Sequence, residues 1–110
     1  MTEQEKQQLS RDVAEKLGIS AWFIYEDRCE KLWLHKDSAR CFDLMVEHEV
    51  GTKQLVNANT GHTFSAEAFT YSKKHYCIDT SVCEHYTTHD NDKHLATRIA
   101  ILKALLEKGK

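Results

Sequence analysis

Apolar positions along the chain fall into three stretches of helical period, separated by shorter runs that alternate or are continuously apolar. Leu9, Val13 and Leu17 recur every four residues and, with Ala14 beside them, draw one stripe. Thr2 followed by Glu5 fits a capping box, in which each side chain meets the other residue's unpaired backbone donor. Gly18 stands where a left-handed C-terminal cap is wanted. The spacing predicts a first helix over residues 3–17. "AWFIY" (21–25) is too short for a helix and rich in strand formers, "EDR" (26–28) supplies a polar turn, and "CEKLWLH" (29–35) returns as a second strand. Both faces of "AWFIY" are bulky and apolar, as in a strand covered on both sides.

Asp37 or Ser38 caps a second helix, "SARCFDLMVEHEV", where Phe42, Met45, Val46 and Glu49 trace the period and Leu44 and Cys41 widen the stripe. Gly51 reads as its stop. "KQLVNA" (53–58), "NTG" (59–61) and "HTFSAEAFT" (62–70) read as a hairpin with a glycine-containing turn, although 65–70 also suits a short helical turn. "KHYCIDT" and "VCEHYTT" read as two further strands. "HDND" (89–92) is a polar break offering N-caps to a last helix over 92–108, ended by Gly109. The predicted order is α-β-β-α-β-β-β-β-α: an α+β domain with a mainly antiparallel sheet of four to six strands and three helices.

Length and composition narrow this further. The 110 residues hold one domain, and 41% hydrophobic with 29% charged residues is ordinary for a globular chain. No apolar run approaches the ~20 residues that span a bilayer, and "MTEQEKQQLSRD" resembles neither a signal nor a transit segment. The expected setting is therefore cytoplasmic, away from membranes, with Cys29, Cys41, Cys77 and Cys83 as reduced thiols. A net charge of −2 argues against a nucleic-acid partner.

Three segments, "VAEKLGISAWFIY", "HKDSARCFDLMVEHEV" and "HLATRIAILKALLEKGK", resemble the phage ABA sandwich domain family. Together they cover about half the chain, and residues 52–90 lie outside the likeness. The resemblance implies helices on both faces of a sheet and a phage or prophage accessory protein. It brings no shared catalytic residues or cofactor.

The candidate chemistry lies mostly in "HYCIDTSVCEH" (75–85). With a turn centred on Thr80, Cys77 opposes Cys83 and His75 opposes His85, all on one face. Zinc requires thiolates and imidazoles converging at about 2.0–2.3 Å, whereas same-face neighbours along a strand lie ~7 Å apart. The spacing C-x5-C-x-H is also foreign to the usual zinc modules. A structural hairpin outweighs both a metal-stabilised module on His75, Cys77, Cys83 and His85 and a cross-strand disulfide. His85 and His89 with Glu84 and Asp90 could form an acid–base group, but no nucleophile elbow, phosphate loop or H-E-x-x-H accompanies them. The expectation is a protein that is not an enzyme.

Binding is the remaining class. Cys41, Trp22 and Trp33 read first as core residues. An exposed Trp33, with Tyr25, Glu26, Asp27 and Glu30 around the first turn, would make a surface for a host or phage protein. An inhibitor of host or defence machinery fits that reading. Leu95, Ile99, Ile101, Leu102, Leu105 and Leu106 exceed one narrow stripe. Either the last helix is sunk against the sheet, or Ile101 and Leu105 join a second copy in a homodimer. The alternative function is an oligomeric small-molecule or nucleotide binder, its pocket at the subunit boundary lined by histidine, lysine and tyrosine from 71–86.

Overall fold

The computed structural model describes residues 1–25 and 30–109, with the side chains of 23–25 and 30 outside the description. Helix α1 (Glu3–Leu17) begins and ends as its local signals require. The Glu5 amide donates to Thr2 Oγ1 at 3.1 Å while the Thr2 amide donates to Glu5 Oε1 at 2.9 Å, completing the capping box. Gly18 takes the left-handed conformation (φ 68°), and the Ile19 amide closes on Ala14 O at 2.9 Å. Strands β1 (Trp22–Tyr25) and β2 (Glu30–Trp33) form an antiparallel pair with Trp22 opposite Trp33. A 3-10 turn, Leu34–Lys36, leads to α2 (Ser38–Glu47), whose N-cap Asp37 accepts from the Arg40 amide at 3.1 Å.

Helix α2 stops earlier than its pattern suggests. Glu49, at φ 56°, takes the left-handed position, and the Val50 amide reaches back to Met45 O at 2.8 Å. Gly51 instead opens strand β3 (Gly51–Val56), where it lies opposite Phe69 of the next strand. A Cβ at Gly51 would stand 2.4 Å from the Phe69 ring. Glycine is needed here for close approach, not for a helix stop. Gly51→Ala should therefore cost about 1–3 kcal/mol through displacement of that ring; urea unfolding measures it.

Strands β4 (Thr63–Ser72) and β5 (Cys77–His85) complete a sheet in the order β3-β4-β5, antiparallel throughout. The described residues thus carry five strands in two separate sheets, not one sheet, and the expected hairpin about Thr80 is not what forms. Residues 77–85 run as one continuous strand, and the reversal falls earlier. The Tyr76 amide closes on Ser72 O at 2.9 Å, the His75 amide on Ser72 Oγ at 3.3 Å, and Tyr76 takes φ 55°. "VCEHYTT" likewise breaks after His85 into a 3-10 turn, Tyr86–His89.

Helix α3 (Lys93–Glu107), capped by Asp92 on the Leu95 amide at 3.0 Å, is the middle layer. It packs against β4 and β5 on one side and against α1 and α2 on others. Ala96, Ile99, Ala100, Ile101, Leu102, Ala104 and Leu105 are all buried, which explains an apolar surface too broad for one stripe. Lys16 of α1 donates to the carbonyls of Leu105, Leu106 and Lys108, satisfying the orphan acceptors at the end of α3. Three inner-face residues of the sheet face these helices: Gln54 bonds Thr97, Glu84 bonds Lys103, and Thr52 meets Met45. No helix among the described residues is long and apolar enough to cross a membrane.

Candidate functional site

The register takes the proposed metal group apart. His75 lies in the turn, Cys77 pairs with Ser72, Cys83 with Glu67 and His85 with Ser65. Cys77 and Cys83 are therefore six positions apart on one strand, roughly 20 Å, beyond the reach of one ion or of a disulfide. The pairing also shifts between Thr70 and Tyr71, so the alternation of faces does not run through. Among the described residues no group of three His, Cys, Asp or Glu side chains is placed to hold a metal ion. Cys83 donates to Glu67 Oε2 at 3.5 Å, and partial burial together with that carboxylate pushes its thiol up. Burial pushes Cys41 up to about 12. Its Sγ donates to Leu34 O at 3.0 Å, as a small core residue.

The proposed acid–base group is also divided. His85 stacks on Phe64 on the outer sheet face, with ring centroids 5.9 Å apart. His89 is buried on the inner side, its Nε2 2.9 Å from Glu84 Oε1, while Lys103 Nζ sits 3.1 Å from Glu84 Oε2. That trio ties β5, the turn after it and α3 together. It is a tether.

A second histidine network was not anticipated from the sequence. His35 Nδ1 lies 2.8 Å from Ser10 Oγ, and Nε2 lies 3.1 Å from Glu3 Oε1. Burial pushes His35 below its ordinary value, against the pull of Glu3. The neutral ring then donates from Nε2 to the carboxylate and accepts at Nδ1 from the serine hydroxyl, satisfying all three groups. Serine, histidine and carboxylate in a row invite comparison with a hydrolytic triad. Ser10, however, is 0% exposed, so no substrate carbonyl can reach its Oγ. Glu3 and Ser10, seven apart, share one side of α1, which was the available sequence signal.

Of the expected binding residues, Glu26 and Asp27 lie outside the described residues, as do Cys29 and the side chains of Tyr25 and Glu30. Trp33 is half-buried against the core. Its ring meets Trp22 edge-on at 5.4 Å, with Arg11 5.0 Å from its centroid. Ile101 and Leu105 are 4% and 1% exposed within a single chain, so they serve its core and leave no surface for the expected homodimer contact.

Large apolar side chains are exposed on α2, at Phe42 and Val46, and on the outer face of the β3-β4-β5 sheet. Phe64, Tyr71 and Ile78 are 41%, 57% and 51% exposed, and Phe69 meets Tyr71 edge-on at 5.5 Å. Polar positions on this face are already engaged with each other, Lys53 Nζ lying 3.5 Å from Glu67 Oε1. At one end lies the turn Lys73, Lys74, His75 and Tyr76, all exposed. The helices of the described residues gather on the opposite side of this sheet, so the double covering implied by the resemblance is not the arrangement found. Compared with known proteins, the chain matches no family model, no curated protein and no solved structure.

Proposed function

We propose that this chain is a non-enzymatic binding protein whose working surface is the outer face of the β3-β4-β5 sheet. The observation that carries the reading is a set of apolar side chains, Phe64, Tyr71 and Ile78, left in water on a sheet whose other face packs against α3. Exposed apolar surface has a standing cost in water, and a patch of aromatic anchors recovers it on association. The lysines and His75 at the end of the patch favour a protein partner that presents an apolar centre with acidic residues beside it. The resemblance to phage accessory proteins supplies the setting: a host or phage protein as partner, and inhibition of host or defence machinery as the consequence.

The test is capture from host lysate with three chains: wild type, Phe64→Ser/Tyr71→Ser, and Phe42→Ser on the opposite side of the fold. All three positions are at least 41% exposed, so thermal midpoints should stay close together. The expected result is one partner at constant stoichiometry, retained by Phe42→Ser and weakened about 30-fold or more by the double change. Equal capture by wild type and the double variant would remove the sheet face from consideration.

A further inference from the structure

Between α2, β3 and α3 lies a groove of about 360 Å³, at the small end of the range of ligand sites. Its floor is apolar, made by Met45 and Ile101, and Phe42 stands 59% exposed at its rim. Arg98 is the fixed cation. Its Nε donates to His35 O at 2.7 Å and its Nη1 to Ser38 Oγ at 3.0 Å, so the guanidinium is held in place before any ligand arrives. Among the described residues no carboxylate forms an ion pair with Arg98 and nothing accepts from its Nη2. No acidic residue lines the groove. In the same lining, the Thr52 hydroxyl of β3 meets the Met45 sulfur, a weak acceptor 3.7 Å away.

We propose that this groove binds a small monocarboxylate with an apolar body, the acid on Arg98 and Thr52 and the body between Phe42, Met45 and Ile101. A fixed guanidinium whose Nη2 still has donors to give matches a carboxylate oxygen. A single anchored cation suits a monoanion better than a phosphate dianion, and the volume suits a one-ring acid rather than a nucleotide. The site is independent of the sheet face, on the other side of the fold, and either can fail without the other.

The experiment titrates the 15N-labelled chain with phenylacetate, phenylacetamide and inorganic phosphate, following the amides of Thr52 and Arg98. The expected result is saturation by phenylacetate at or below about 1 mM. Phenylacetamide should bind at least about tenfold more weakly, as loss of one charge-assisted pair requires. Phe42→Ala, at an exposed rim position, should keep the fold and weaken phenylacetate about three- to tenfold through lost apolar contact. Absence of saturation by about 10 mM, equal binding of the amide, or tighter binding of phosphate would each overturn the proposal.

Discussion

Leu102→Ala should lower the free energy of unfolding by about 2–5 kcal/mol, a large share of what a domain of this size holds. Leu102 is 0% exposed on α3, the helix enclosed by the sheet on one side and by α1 and α2 on others. Truncation in such a middle layer leaves a cavity that neither neighbour can collapse into without giving up its contact with the rest of the helix. The same truncation at Leu106, which is only partly buried on the same helix, should cost clearly less. Chemical denaturation of the two variants measures the difference. Equal and small effects would mean that α3 has a solvent face.

His35→Ala should rank next, at about 2–4 kcal/mol, because it removes a buried ring and leaves the Ser10 hydroxyl without its acceptor. Ser10→Ala in the same background should add little, giving a coupling of about 1 kcal/mol or more. The network also sets a pH dependence. Burial holds the His35 pKa below its ordinary value, so the unfolded chain binds the proton more readily. Its contribution is complete above the ordinary histidine range and is lost as pH falls through the lowered value. Glu3 adds to the loss in the same direction. Its own partial burial raises it, but hydrogen bonds and charge from His35 and Lys36 more than offset that and hold it below the ordinary carboxylate value. Thermal midpoints should therefore decline from about pH 6.5 downward, and the upper part of that decline should vanish in His35→Ala.

The helices were legible because their signals are local. Thr2 with Glu5, Gly18, Asp37 and Asp92 each act within a few residues, and each does in space what its position suggests. The breadth of the apolar surface on α3 was legible too, but its cause needed the third dimension: a helix between two layers and a helix in a dimer show the same pattern. The strands were harder. Nothing at Thr80 and Ser81 forbids a turn, and nothing in "YSKKHY" advertises the one that forms, because Tyr76 rather than glycine takes the left-handed position. Moving that reversal by a few residues merges two expected strands into β5 and scatters the four expected ligands along it. The bare sheet face was hidden for a related reason. Ala66 and Ala68 alternate with Glu67 and Phe69, so the small residues face the core and the larger ones lie half-buried on the outer face, the reverse of the usual assignment. The Arg98 groove joins positions 38, 52 and 98, which no spacing rule connects.

The uncovered sheet is what the binding function depends on, and hydroxyl-radical footprinting of the isolated chain tests it most directly. Phe64, Tyr71 and Ile78 should label rapidly, as should the exposed turn residue Tyr76, while Ile99, Leu102 and Tyr86 stay protected. Protection of Phe64, Tyr71 and Ile78 as deep as that of Leu102 would contradict it, since those side chains would then lie beneath a covering layer with no surface left to offer a partner.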